Sequence, residues 1–371
     1  MTDRDAPDID TKYMNLCLDL AAKGRGLVSP NPMVGAVIVR DGTILGQGFH
    51  RRFGGAHAEV NAVLDARRRG ASTEGATLYV SLEPCYHYGN TPPCVDLIIE
   101  RKFARVVAAV KDPNPLVNGK SIRKLRKAGI LCEIGVCRKD AVQLNEPFFS
   151  WFTNHRPFVA LKTAQTADGF IARSDGSSKW ITTAASRKKV HALRASYDAI
   201  LVGAGTVIAD DPMLTVRSVR GSNPLRVVLD GRLRLPLDAA IVTTVHEAGT
   251  IVYTAKTRNR EKRKKIAAFE SMGVVVVEME LDRKKRIPVK AVLADLADHK
   301  IQSVLVEGGA DTYAMFLKAK AADLLYQFTS PTTFGSGLAG ISGIKTPVRR
   351  RLRSRMRYGK DTLDEYLLTF G

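Results

Sequence analysis

His57-Ala58-Glu59, Pro84-Cys85 and Cys94 are the residues whose types and spacing could do chemistry. One imidazole and two thiolates are borderline-soft donors that suit a tetrahedral zinc ion. Three protein ligands leave a fourth position for water, which marks a catalytic rather than a structural site. Zinc brings the pKa of that water to about 7, so hydroxide is available at neutral pH. Glu59 follows His57 by two residues and is read as the proton carrier between water, ring nitrogen and leaving amine, not as a ligand. Zinc nucleobase deaminases share His-x-Glu with Pro-Cys-x-x-Cys. In this chain eight residues, not two, separate the cysteines. Each residue alone has a plainer reading, since His-x-Glu is common and a lone cysteine is most often a small buried apolar side chain. Cys17, Cys132 and Cys137 fall on apolar faces and are expected in the core. Five cysteines, an odd and low number, argue against a disulfide framework.

The elements that must position these residues follow from periodicity. A helix is expected over 11–24, stopped by Gly24 and Gly26. Residues 34–40 and 43–49 are β-type runs joined by Asp41-Gly42, a strong hairpin signal. Helical spacing over 58–69 places His57 and Glu59 at a helix start. A strand over 77–82, a turn at Glu83-Pro84 and a helix over 94–102 place both cysteines at the next start. A strand at 105–110, a helix at 121–128 and a strand at 130–136 complete a layered α/β unit of about 140 residues. The aromatic-rich stretch 148–158 reads as a packed linker. The pattern then restarts, with strands at 158–163, 199–203, 225–229, 250–253, 274–278 and 303–306 and helices at 186–195, 260–272, 289–299 and 312–318. Two domains are therefore expected, 1–150 and 151–371, the second ending in a basic tail after Lys345 that no pattern places.

The chain has 371 residues, 45% of them hydrophobic and 25% charged, which excludes a disordered or fibrous protein. No uncharged run approaches the roughly 20 residues a membrane span needs. The first ten residues carry four Asp and one Arg and do not read as a secretory signal, so a cytoplasmic protein is expected. The net charge of +20 is uneven, with much of the excess in runs at 256–265, 283–286 and 349–357. Such a field attracts nucleotides, nucleic acid or phosphorylated metabolites. The plainer reading is solvated helix faces and a loose tail.

With these residues in view, the chain resembles the bifunctional deaminase–reductase family of riboflavin biosynthesis. The matching stretches are Ser29-Pro30-Asn31-Pro32-Met33-Val34-Gly35, His50 to Glu59, Ser81-Leu82-Glu83-Pro84-Cys85, Thr91-Pro92-Pro93-Cys94, Asp112-Pro113-Asn114-Pro115 and Leu144-Asn145-Glu146-Pro147-Phe148. Beyond residue 150 they include Lys162, Asp168-Gly169, Ser178-Lys179-Trp180-Ile181-Thr182, Arg187, Leu193-Arg194, Asp210-Asp211-Pro212, Leu214-Thr215-Val216-Arg217 and Glu307-Gly308-Gly309. The resemblance covers roughly residues 10–335 and accounts for the eight-residue cysteine spacing. It implies a cytidine-deaminase-like α/β/α sandwich followed by a dihydrofolate-reductase-like α/β domain. It further implies zinc-dependent deamination of a phosphoribosylaminopyrimidine, then NADPH-dependent reduction of the ribosyl group to ribityl. By the resemblance His57, Cys85 and Cys94 bind Zn2+, Glu59 is catalytic, and Asn31 and His50 contact the pyrimidine. Ser178, Arg194, Leu214, Arg217 and Glu307 match substrate positions. Ala164, Trp180, Thr206, Asp210, Gly308, Gly309 and Ala310 match cofactor positions. The implied partner is a small phosphorylated pyrimidine, with no nucleic acid and no membrane; a homo-oligomer stays open. Two departures stand out: Asn90 replaces a basic residue before Thr-Pro-Pro-Cys, and Thr166-Ala167-Asp168-Gly169 replaces Ser-Leu-Asp-Gly.

The residues of the second half also carry a reading of their own. Gly203-Ala204-Gly205-Thr206 follows an apolar strand, but Ile208 stands where a dinucleotide fingerprint needs its third glycine. Glu307-Gly308-Gly309 ends a strand and opens a helix, where backbone amides can bind phosphate, or it is a plain tight turn. Arg194 and Arg217 can grip a phosphate through two parallel hydrogen bonds, or Arg194 is a helix-end cation facing water. Trp180 is a cofactor contact or a core residue. Lys162 and Asp168 are candidates for orientation or proton supply during hydride transfer. Two rival functions remain at this stage: a nucleic-acid deaminase with a basic RNA-binding half, and a scaffold with structural zinc. The basic runs lack the interleaved aromatics that RNA binding favours.

Overall fold

The computed structural model describes residues 8–88, 92–178, 180–343 and 347–371. Asn90, Thr91 and Lys179 of the motifs above lie outside the described residues. The chain divides into two compact units, Met1–His155 and Arg156–Gly371.

The first unit runs α1 (Ile9–Ala22), β1 (Gly35–Arg40), β2 (Thr43–Phe49), α2 (Ala58–Arg68), β3 (Thr77–Val80), α3 (Cys94–Glu100), β4 (Arg105–Ala108), α4 (Lys120–Lys127), β5 (Leu131–Ile134), α5 (Arg138–Leu144) and α6 (Glu146–Asn154). Its sheet has the order β2-β1-β3-β4-β5. The β1–β2 hairpin is antiparallel and turns at Asp41-Gly42, both with positive φ, as a tight two-residue turn requires. β3, β4 and β5 run parallel. Alternation along β1 assigns the layers: Ala36 and Ile38 pack with Ala58, Ala62 and Ala66 of α2 and Val95 and Ile98 of α3. Val37 and Val39 pack on the opposite face with Met14 and Cys17 of α1, Ala141 of α5 and Phe148 of α6. This is a three-layer α/β/α sandwich. Cys17 is in this core as expected, whereas Cys132 and Cys137 are only partly buried.

Two glycines of β2 set the height of α2. A Cβ on Gly46 would stand 2.4 Å from the carbonyl oxygen of Ala62, and one on Gly48 2.4 Å from its amide nitrogen. The helix that begins after His57 thus lies directly on the strand. The aromatic stretch expected as a linker is instead mostly helical. Phe149 and Phe152 of α6 each pack edge-on to Phe148, and all three pack onto the α1 face. Pro147 in the first turn of α6 fits a helix start, and the dense aromatics hid the 3.6-residue period.

The second unit runs β6 (Phe158–Gln165), β7 (Phe170–Ala172), α7 (Ala184–Arg194), β8 (Ala199–Gly203), α8 (Ala204–Asp210), β9 (Leu225–Leu229), α9 (Ala240–Thr243), β10 (Thr250–Ala255), α10 (Arg260–Ser271), β11 (Val275–Met279), α11 (Val289–Asp298), β12 (Ser303–Val306), α12 (Ala310–Lys318), β13 (Leu324–Thr329), β14 (Leu338–Ala339), β15 (Val348–Tyr358) and β16 (Asp361–Phe370). Nine strands form one sheet in the order β11-β10-β9-β8-β12-β6-β13-β16-β15. It is parallel from β11 to β13 and antiparallel at β16 and β15. α11 and α12 cover one face, and α7, α9 and α10 cover the other. The run 256–265 includes the first half of α10, whose basic side chains are mostly exposed, as a solvated face would be.

The run 349–357 is no loose tail. It is most of β15, paired along its length with β16, which itself joins β13 in the sheet. Arginines on both faces of β15 erased the period-2 signal. Charge on an exposed edge strand also guards it against pairing with other chains.

Candidate functional site

In the first unit three donor atoms converge from two helix starts and the segment after β3. His57 precedes the first residue of α2, Cys85 follows β3 by five residues, and Cys94 opens α3. His57 Nδ1 lies 3.5 Å from Cys85 Sγ and 3.3 Å from Cys94 Sγ. The Cys94 amide donates to Cys85 Sγ at 3.1 Å. All three ligand atoms fall within 4.8 Å of one another, the one such grouping among the described residues. Hydrogen bonds from Cys94 and then from His57 hold the Cys85 thiol well below its usual range, and Cys94 is pushed up. His57 is raised to about 9 by its bond to Cys85. One nitrogen and two soft sulfurs form the donor set that zinc favours, and an oxygen-seeking ion such as calcium would not.

Glu59 is buried in the first turn of α2, and burial, then the Cys85 charge, pushes its carboxyl up. His50 and Asn31 are brought to the same place. The rings of His50 and His57 stand edge to face with centroids 5.5 Å apart. His50 Nδ1 lies 3.0 Å from the Ala56 carbonyl, and Asn31 Nδ2 lies 3.1 Å from His50 Nε2. The carbonyl can only accept, so Nδ1 carries the proton and Nε2 accepts from Asn31. Burial lowers the His50 pKa and keeps the ring neutral.

Three supports had no role assigned from sequence. Asn145 accepts from the Met33 amide and donates to the Met33 carbonyl, both at 2.8 Å, and so fixes the loop that carries Asn31. Buried Glu83 accepts from the amides of Gly119 at 2.8 Å and Ile122 at 3.5 Å, charging the N-terminus of α4 favourably. Asp112, beside Glu83, is raised to about 7 by burial. Asn145, Glu83 and Asp112 all lie in quoted motifs, but nothing in a motif says which residue holds which backbone.

In the second unit the buried carboxylate of Glu307 is the centre. Arg194 at the end of α7 donates Nε to Oε1 at 2.8 Å and Nη2 to Oε2 at 3.0 Å. Lys162 Nζ on β6 donates to Oε2 at 3.3 Å. Burial alone would raise Glu307, but Arg194 and then Lys162 hold it at about 2. Arg194 is therefore not a helix-end cation in water, and its forked face is taken by Glu307 rather than left open for a phosphate. Arg217 donates Nη1 to Thr215 Oγ1 at 3.0 Å and, among the described residues, has no carboxylate partner.

Gly308 and Gly309 lie between β12 and α12, and Ala310 is the first residue of that helix. A Cβ on Gly308 would meet Thr312 Cβ at 2.5 Å, so the turn itself requires glycine. Thr206 Oγ1 stands 4.0 Å from the Cβ position of Gly309, which brings the α8 and α12 starts together across adjacent parallel strands. Ala164 is on β6, and Asp210 ends α8. Trp180 is 72% exposed, which removes the core reading, and Arg187 stacks on it at 4.5 Å from the ring centroid. Ser178 is half-buried. Leu214 has its side chain in the core and a φ of 54°, so only its backbone is available to a ligand. Asp168 accepts from Thr166 Oγ1 and from the amides of Phe334 and Gly335, and the Thr166 bond leads in lowering its pKa. It anchors a loop and holds no proton to supply at neutral pH.

Comparison with known proteins matches both units. Residues 7–110 match the cytidine and deoxycytidylate deaminase zinc-binding region, and residues 157–363 match the RibD C-terminal domain. The riboflavin biosynthesis protein RibD of Aquifex aeolicus is 45% identical over 359 residues, covering 95% of this chain and 97% of that one. The crystal structure of a diaminohydroxyphosphoribosylaminopyrimidine deaminase/5-amino-6-(5-phosphoribosylamino)uracil reductase from Thermotoga maritima superposes with a TM-score of 0.86 at 40% identity, covering 97% of this chain and 99% of that one. RibD of Acinetobacter baumannii gives a TM-score of 0.83 at 34% identity, with the same coverage. A sandwich with a zinc-type donor set, followed by a dihydrofolate-reductase-like unit and matched along nearly its whole length, belongs to the RibD family: bifunctional riboflavin-biosynthesis enzymes that join a zinc-binding deaminase domain to a reductase domain.

Proposed function

We propose that the first unit removes an amino group from 2,5-diamino-6-(5-phosphoribosylamino)pyrimidin-4-one, and that the second reduces the ribosyl chain of the product to ribityl with NADPH. The observation that carries this reading is the convergence of His57 Nδ1, Cys85 Sγ and Cys94 Sγ beside a buried glutamate. His57, Cys85 and Cys94 would hold zinc, which when bound supplies a Lewis acid that makes water nucleophilic near neutral pH. Glu59 would take a proton from that water and return it to the ring and the leaving amine; its raised carboxyl suits both directions. Asn31 and neutral His50, with a fixed tautomer, would orient the pyrimidine through hydrogen bonds.

In the second unit Gly308, Gly309 and Ala310 would receive the cofactor phosphates at the start of α12, with Thr206 and Asp210 beside them. Ala164 and the exposed face of Trp180 complete the proposed cofactor contacts. Ser178, the Leu214 backbone, Arg194, Arg217 and Glu307 would hold the substrate. Lys162, braced by Glu307, is the better placed proton source, since Asp168 is occupied. Among the described residues no helix is long and apolar enough to cross a membrane. We read the protein as a cytoplasmic enzyme that acts on a small phosphorylated pyrimidine and not on nucleic acid.

The test is to incubate the zinc-loaded protein with that substrate and NADPH. Ammonia release and loss of 340 nm absorbance should both occur, and NADPH loss should require the deaminated product. Ammonia release with no NADPH loss would leave only the deaminase half of the reading.

A further inference from the structure

The geometry points to Arg51 and Arg52, on the loop of residues 51–56, as the groups that receive the substrate phosphate at the deaminase site. This rests on the proposed phosphoribosyl substrate and adds the subsite that would read its charge. The loop joins β2 to α2, so it begins just after His50 and ends just before His57. It is held at several points. His50 Nδ1 donates to the Ala56 carbonyl at 3.0 Å, and Asn61 Nδ2 donates to the carbonyls of Phe49 at 2.9 Å and Ala56 at 3.1 Å. The Phe53 amide donates to the Leu27 carbonyl at 3.1 Å, and the Gly55 amide to the Arg52 carbonyl at 3.0 Å. Gly54, with φ of 72°, makes the turn.

On this fixed loop both arginines are exposed, and among the described residues neither has a carboxylate partner. The Arg51 guanidinium lies 5.5 Å from the Phe49 ring centroid. Several other cations of the unit are engaged: Arg105 with Asp10 and Glu133, Lys124 with Asp96, Arg69 with Asp65. Lys111 and Arg123 also come together, near Gly119, and are the rival pair of cations in this unit. Arg51 and Arg52 are adjacent like charges placed on the one segment that runs from His50 to His57. Their backbones lie within about 7 Å of His50 by chain length alone. Leu27 and Phe53, joined through their backbones and each about half exposed, form an apolar lip beside them. Forked donors next to an apolar lip, directly after the residue proposed to hold the pyrimidine, fit a phosphate monoester tethered to that ring.

The experiment measures ammonia release by the full-length zinc-loaded protein on the phosphorylated substrate and on its dephosphorylated form. The double variant Arg51→Gln/Arg52→Gln should raise KM for the phosphorylated substrate about 10- to 100-fold, the effect expected of one or two lost charge-assisted hydrogen bonds. Its kcat should stay within about threefold, and the dephosphorylated substrate should not distinguish it from the parent. Zinc content and NADPH oxidation on separately supplied deaminated substrate report that both units remain folded. An unchanged KM overturns the inference, as does an equal loss on both substrates. So does a phosphate-specific loss that appears in Lys111→Gln/Arg123→Gln instead. If the parent protein deaminates neither substrate, the proposed function fails and this subsite falls with it.

Discussion

Each site holds a buried glutamate side chain, Glu59 in the first unit and Glu307 in the second, and the two surroundings push those carboxyls in opposite directions. Glu59 sits where burial and a neighbouring thiolate both disfavour its charge, so its pKa rises. The Glu307 side chain is also buried, but Arg194 and Lys162 grip both of its oxygens and hold it at about 2. Burial alone therefore does not assign a role. A carboxyl poised to gain and lose a proton can carry one during a reaction. A carboxylate locked between two cations keeps its charge and holds those cations in place. On the proposed function, the first site is a place of proton movement and the second a place of fixed charge.

The largest effect should follow from removing the mobile proton. Glu59→Gln keeps the shape of the side chain and takes away its basicity. Deamination should fall by about 10³-fold, with zinc content unchanged because Glu59 is not among the converging donors. NADPH oxidation on supplied deaminated substrate should be untouched. Ammonia release within tenfold of the parent would break the contrast between the two glutamates.

The two sites were unequally legible in the sequence. His57, Glu59, Cys85 and Cys94 are each fixed by a local rule, a helix start or a turn after a strand, so a linear motif nearly specifies the site. The central ion pair of the second unit joins residues 113 and 145 positions apart, and no local pattern announces it. From its sequence position Arg194 can face water or phosphate, and nothing nearby in the chain points to Glu307. The same holds for the fold. Strands 199–203, 225–229 and 303–306 are legible in the sequence because parallel core strands read as mostly apolar runs, even where Arg226 interrupts one and Ser303 opens another. β15 is not legible in the sequence because edge strands carry charge where core strands carry a pattern, and its partner β16 is hidden with it. α6 was missed because aromatic residues crowd both of its faces.

The fixed charge of the second site gives the next effect. Glu307→Gln leaves two cations facing a neutral amide in a buried position, at a cost of about 3 kcal/mol in stability of that unit. The sign of the pH dependence follows from the depressed pKa. Relative to the ordinary value of 4.5, a folded value of about 2 stabilises the unit fully above pH 4.5, and the contribution is lost as pH falls toward 2. A shift of that size corresponds to about 3 kcal/mol. Urea unfolding followed by circular dichroism from pH 5 to pH 2 should show this loss in the parent and a flatter profile in the variant. Equal profiles would mean that Glu307 does not carry the charge that the geometry gives it.

The smallest effect sharpens the first half of the contrast. If the deaminase site works by moving a proton over short distances, its substrate contacts must be held still by neutral groups rather than by ion pairs. Asn145 is such a group, with one oxygen and one nitrogen spent on the amide and carbonyl of Met33, two residues beyond Asn31. Asn145→Ala should cost about 1–2 kcal/mol of stability and raise the deaminase KM severalfold while kcat holds. Asn145→Asp keeps the acceptor and loses the donor, so it should fall between the parent and the alanine variant. An aspartate variant worse than alanine would show that charge, not the lost hydrogen bond, is what this buried position cannot bear. Neither change should alter NADPH oxidation on supplied product, because the second unit draws its order from Glu307 and its two cations.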